Sequence, residues 1–208
     1  MSTFFSDAFR ANLSRAIARI EQRSHAELVV TLKSRIDSYS EYPLGIGSLL
    51  AFLVLSYFRF TQEYYEDWIV YAGTVAGFVA GALLTGGIPA LLRLLVGRKR
   101  LDKSAEIMAR AYFQKGGIHH TRDKTGILIL VALWEKRIVI IFDRGVESAI
   151  PPTEMEIIQN RFGHVFSAKN PADELIAQLE SLELTFSRYI PQVEGDVNEL
   201  PDNMEIDL

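Results

Sequence analysis

The 208-residue chain contains no cysteine. That excludes disulfides, thiolate metal sites and cysteine nucleophiles, and it suits a reducing compartment. The common catalytic and nucleotide-binding spellings are missing too. No G-x-x-x-x-G-K-[ST], H-E-x-x-H, G-x-S-x-G or G-x-G-x-x-G occurs. Positive charge is in deficit: 22 Lys and Arg stand against 26 Asp and Glu, a formal net charge of −4. A net acidic chain argues against nucleic acid as a partner. No internal repeat is visible.

What the chain has in excess is apolar length. One run extends from Pro43 to Phe60 and a second from Trp68 to Gly97, with the acidic loop TQEYYED between them. A bilayer core about 30 Å thick needs roughly 20 apolar residues per helix. From Ile69 to Pro89 there is no charge. Leu44 to Phe58 is shorter, extended by Pro43 and by Arg59, which can snorkel. The pattern predicts a two-helix transmembrane hairpin; the competing reading is a buried core hairpin in a soluble protein. Gly73, Gly77 and Gly81 recur every four residues, which permits close helix approach, either between the two spans or in a homo-oligomer. No cleaved signal peptide is expected, since about 40 mostly polar residues precede the first run.

Charge sets the expected orientation. Lys33 and Arg35 precede the first run, and Arg93, Arg98, Lys99, Arg100 and Lys103 lie at or beyond the end of the second. The loop carries Glu63, Glu66 and Asp67. Basic flanks stay inside. The prediction is an inner (plasma) membrane protein with two spans, both termini and the soluble domain cytoplasmic, and the loop outside. Tyr57, Tyr64, Tyr65, Trp68 and Tyr71 near the loop suit an interfacial aromatic belt.

Outside the hairpin, roughly 130 residues remain, enough for one domain. Residues 6–24 have apolar residues at helical spacing with arginines among them, and read as a helix packed on a sheet. Residues 26–32 read as a strand and 102–115 as a helix stopped by Gly116-Gly117. Residues 126–134 are almost wholly apolar, as a strand covered on both faces should be, and 137–143 return antiparallel after a turn at Glu135-Lys136. Thr153 and Glu156 suggest a capping box opening a helix through Phe166; Asn170, Pro171 and Asp173 mark another start. Residues 191–208 hold six carboxylates and no basic residue, and read as a disordered acidic tail. The expected layout is 1–42 and 98–190 as two parts of one domain, 43–97 as the hairpin and 191–208 as the tail. The fold class is α/β, an α/β/α sandwich with a small mixed sheet interrupted by the hairpin.

Asp143 is the leading site candidate, because it ends an apolar strand where ligands of open α/β sheets gather. A carboxylate there can bind a divalent cation such as calcium or act as a base; the plainer alternative is that it stops the strand and caps the turn that Gly145 needs. His119, His120, Arg122, Asp123 and Lys124 fall in one loop. Adjacent histidines in an extended segment point to opposite sides and seldom share a metal. The basic residues there suit an anionic headgroup or phosphate, or simply a solvated loop. His164, between Phe162 and Phe166, reads as a packed histidine, and His25 as a residue at a helix end, where a cation suits the dipole.

The run MARAYFQKGGIHHTRDKTGILILVALWEKRIVIIFDRGVES resembles the TPM domain, also called the TPM phosphatase domain. The resemblance rests on Phe113, Gly117-Ile118, Thr125 through Ile129, Glu135 through Ile138, and Asp143-Arg144-Gly145-Val146. The N-terminal helix and AELVVTLK look like that family's opening, and the type is the short bacterial one with a membrane hairpin. The resemblance implies an α/β/α sandwich around a mixed sheet. Some plant thylakoid members are acid phosphatases linked to photosystem repair; others look calcium-binding or membrane-associated. Only Asp143 and Gly145 carry over as family-like site positions. Two functions are therefore expected in competition. One is a membrane-anchored interaction or maintenance factor whose partners are the lipid bilayer and other membrane proteins. The alternative is a metal-dependent acid phosphatase.

Overall fold

The computed structural model describes Phe4, residues 6–193 and the backbone of Ile206–Asp207. The chain divides into two units: Met1–Ile36 with Lys103–Leu208, and Asp37–Asp102.

In the first unit, α1 (Asp7–Arg23) opens at Ser6, whose side-chain oxygen accepts from the Phe9 N–H at 3.2 Å. That satisfies one of the donors a helix start leaves open. Phe9, Leu13, Ala16, Ile17 and Ile20 repeat at helical spacing and are buried together. β1 (Glu27–Lys33) runs parallel to β2 (Gly126–Ala132), with Glu27 opposite Gly126 and Lys33 opposite Ala132. β3 (Arg137–Phe142) returns antiparallel, with Ile127 opposite Phe142. Lys136 turns the chain between them at φ 55°. β4 (Ile206–Asp207) lies parallel to β1 beside Leu32 and Lys33, giving the order β3-β2-β1-β4.

A parallel pair cannot be closed by a tight turn and needs a crossover. Here the crossover carries the whole second unit and then α5 (Arg98–Lys115). Strand alternation sorts the side chains. Leu28, Val30, Leu32, Ile127, Ile129 and Val131 pack with α1, α7 (Pro152–Gly163) and α8 (Pro171–Tyr189). Leu128 and Leu130 pack with Ala109 and Phe113 of α5 and with Ile118. The fold is thus α/β and mostly helical, with helices on both faces of a small mixed sheet. β2 is buried at all seven positions, as a strand covered on two faces should be.

Several local expectations are corrected. The Thr153–Glu156 capping box does not form: α7 starts at Pro152 with no side-chain bond at its cap. Proline suits that first position because its missing N–H would have had no partner there. α7 stops at Gly163, and Val165–Ser167 form a separate 3₁₀ turn. Asn170 does flank α8, but its amide donates to the Asp173 carboxylate instead of its oxygen capping the backbone. A short α6 (Arg144–Ala149) lacked a readable period. The expectation of a disordered tail over 191–208 falls mostly outside the described residues.

In the second unit, α2 (Glu41–Phe60) and α3 (Asp67–Gly87) are each long and apolar enough to cross a membrane. The second apolar run does not continue as one helix to Gly97. Ile88 is extended and Pro89 opens a new helix, α4 (Pro89–Val96), because proline cannot continue the hydrogen-bond ladder. The glycines pack α2 against α3. A Cβ at Gly81 would lie 2.9 Å from the Gly47 Cα, and one at Gly47 would lie 2.8 Å from the Phe78 carbonyl oxygen. These are backbone approaches that a side chain would forbid. The outer surfaces stay open, with Phe52 64% and Leu83 68% exposed.

A Cβ at Gly77 would lie 3.5 Å from the Val54 Cβ, within disulfide range. The double variant Val54→Cys/Gly77→Cys should therefore cross-link on mild oxidation, visible as a non-reducing mobility shift. Adding Gly81→Leu should abolish the cross-link by forcing the helices apart; an unchanged yield would refute this packing.

Candidate functional site

Asp143 lies where β3 gives way to α6. Its N–H donates to the Gly126 carbonyl at 2.9 Å, which extends the β2–β3 ladder by one residue. Its Oδ1 accepts from the Arg144 N–H at 2.7 Å and so caps α6. A carboxylate suits the unpaired N–H groups of a helix start. The residue is buried, and Oδ2 has no hydrogen-bond partner among the described residues. Leaving a buried polar atom unsatisfied costs about 1–3 kcal/mol or more if it is charged.

The loop that leads into β2 closes over this strand end. Ile118–His120 form a 3₁₀ turn after Gly117, which is left-handed at φ 68°. The Thr125 N–H donates to the Thr121 hydroxyl at 3.1 Å, and the Lys124 Nζ donates to the His119 carbonyl at 2.6 Å. The Gly145 N–H donates to the Lys124 carbonyl at 2.9 Å. A Cβ on Gly145 would meet the Asp123 carbonyl oxygen at 2.2 Å. Glycine is needed there for close approach of two backbones. Among the described residues, the glycines with positive φ are Gly97 and Gly117.

Asp123 pairs with His25, Nε2 to Oδ2 at 2.8 Å. The His25 N–H donates to the Ile190 carbonyl at 3.0 Å, and the Glu27 N–H donates to the Thr125 carbonyl at 3.2 Å. Glu27 is itself buried. By register and alternation, Glu27 and Asp143 flank Gly126 on the face that α5 covers. The structure thus brings Asp123, Lys124, Asp143 and Gly145, read from the sequence as two separate candidates, to one end of the sheet with His25 and Glu27. Among the described residues, no three His, Asp or Glu side chains group as ligands for a metal ion. The arrangement presents one orphaned carboxylate oxygen, not an assembled coordination sphere.

Two histidine readings change. His119 and His120 are not in an extended segment; the 3₁₀ turn brings their ring centroids within 3.9 Å. His164 is exposed at the end of α7, with Nδ1 2.7 Å from the Asn160 carbonyl oxygen, and is not packed between Phe162 and Phe166. Glu27 had one legible signal, an acid opening an otherwise apolar strand. His25 had no signal, because its partner is 98 residues away.

A mixed sheet with helices on both faces and a loop-built acidic edge defines an α/β domain of the kind the β2–β3 motif suggested. Residues 94–182 match the family model described as TPM domain. The solved structure of the BA42 protein from the psychrophilic bacterium Bizionia argentinensis is similar, with a TM-score of 0.59 at 16% identity, covering 97% of this chain and 94% of that one. At that identity the likeness is one of fold alone. No curated protein sequence matches.

Gly145→Ala should lower stability by about 2 kcal/mol or more, because the added methyl collides with fixed backbone. Gly163, where an added Cβ would meet nothing within 4 Å, should accept alanine with little change. Thermal unfolding of both variants in detergent checks the contrast; equal melting would mean the loop yields freely.

Proposed function

We propose that this chain is a membrane-anchored TPM domain, held at the cytoplasmic face of the inner membrane, which acts as an interaction or maintenance factor for other membrane proteins. The observation that carries this reading is the open apolar surface of α2 and α3. Leu49, Phe52, Val75 and Leu83 are all more than half exposed in the chain itself. A soluble core hairpin would cover them, since contiguous apolar surface of this extent marks lipid or a partner. The basic flanks and the acidic 61–66 loop support the orientation.

The full chain should stay in the membrane fraction after alkaline carbonate extraction. Glu63→Cys, the only thiol in such a protein, should react with an impermeant maleimide from the outside of intact cells. Release into the supernatant would overturn the anchor, and labelling restricted to inverted vesicles would overturn the orientation. Cross-linking in membranes that recovers no specific partner would count against the interaction role.

A second reading has one observation behind it. The unpartnered, buried Oδ2 of Asp143 suits a divalent cation such as calcium, which takes oxygen ligands. Among the described residues, no group of three His, Asp or Glu side chains completes a metal site around it. Calorimetric titration of the detergent-solubilised full chain with calcium should show binding that Asp143→Asn reduces at least tenfold if Asp143 is a ligand. Binding unaffected by that change would remove Asp143 as a metal residue, and with it the basis for a metal-dependent phosphatase.

A further inference from the structure

The break at Ile88–Pro89 has a consequence for where α4 lies. α3 has 21 residues, and at 1.5 Å per residue it is about 32 Å long. That already matches a hydrocarbon core about 30 Å thick. A Cβ on Gly86 would contact the Pro43 ring at 3.6 Å, so α3 ends beside the start of α2. α4 therefore begins at the base of the hairpin with the core already crossed. Yet α4 is apolar. It buries Leu92 and Val96 but leaves Leu94 77% and Leu95 38% exposed.

Gly97 ends α4 at φ 76°, and α5 opens at once with Arg98, Lys99 and Arg100, all exposed. Arg100 reaches two acids at the same end of the unit, Asp37 at 3.6 Å and Glu41 at 3.8 Å. Exposed leucines followed directly by a basic triplet form the pattern of a segment lying in the plane of the interface. Its apolar side enters the acyl boundary while its cations meet headgroups.

We infer that α4 and the first turn of α5 form an interfacial anchor, with Leu94 and Leu95 at the acyl–headgroup boundary and Arg98 and Lys99 binding the phosphates of anionic phospholipids. This rests on the hairpin spanning the bilayer. The occupant is a lipid headgroup because the basic residues adjoin the end of a spanning helix, where the inner leaflet presents its phosphates. Each Lys or Arg near an anionic surface gains roughly 1 kcal/mol, which is about a fivefold preference for anionic lipid.

The absence of cysteine makes single-site labelling direct. The full chain carrying Leu94→Cys, labelled with an environment-sensitive fluorophore, is reconstituted in phosphatidylcholine vesicles with and without phosphatidylglycerol. Quenching by lipid nitroxides near the headgroup, and not by those near the bilayer centre, is the expected result. In the unlabelled protein, spin-labelled phosphatidylglycerol should associate in preference to phosphatidylcholine. Arg98→Gln with Lys99→Gln should reduce that preference by about 25-fold at low salt, and high salt should erase it in the parent protein.

Quenching from the bilayer centre would mean that α4 continues the span, and a water-exposed label would mean that another occupant covers it. Either result overturns the inference, as does a lipid preference unchanged by the double substitution. Val75→Cys, near the middle of α3 and 62% exposed, separates the two claims. If its label is not quenched from the bilayer centre, the hairpin reading has failed. If it is, and Leu94 or the lipid preference behaves otherwise than stated, only the anchor has failed.

Discussion

The parallel pairing of β1 with β2 is the constraint on which the rest of the domain depends. Parallel strands must be joined by a crossover, and this crossover holds α2, α3, α4 and α5 before the chain returns at Gly126. The entropy of closing a loop rises only with the logarithm of its length, so a large insertion there adds little to the cost of pairing. The pairing is favoured by what it buries. β2 is covered on one side by α1, α7 and α8 and on the other by α5. A slip of one residue would move Ile127, Ile129 and Val131 to the wrong face, so the apolar pattern also fixes the register.

That register builds the candidate site. Glu27, Gly126 and Asp143 end in one row because their three strands begin or end together. Two glycines let the chain fold tightly over the row. A Cβ on Gly126 would meet the Ile118 carbonyl oxygen at 2.3 Å, and one on Gly145 the Asp123 carbonyl oxygen at 2.2 Å. The edge is therefore defined by backbone contacts, with acids at its margin. One of those acids is committed to His25 and another has an oxygen left without a partner.

The second unit follows a separate logic. Small residues let α2 and α3 meet backbone to backbone, which leaves their larger apolar side chains pointing outward. In water that arrangement would be unfavourable by roughly 25 cal/mol for each Å² of apolar surface left exposed. In a bilayer the same surface matches its surroundings, and close packing supplies the attraction that the hydrophobic effect no longer provides.

The amino-acid sequence alone determined whatever depends on local period and composition. The strands at Gly126–Ala132 and Arg137–Phe142 were legible from continuous apolar runs, α1 and α8 from helical spacing, and α2 and α3 from uncharged length. Asp143 was legible as a strand-ending acid. The two short helices were not, because α6 has too few residues to show a period and α4 hides inside an apolar run that only Pro89 divides. Tertiary structure alone decided that the glycine stripe joins α2 to α3, that Gly145 serves close approach, and that His25 meets Asp123. Each of these depends on groups far apart in sequence arriving within a few ångströms, and a one-dimensional pattern carries no distance between such groups.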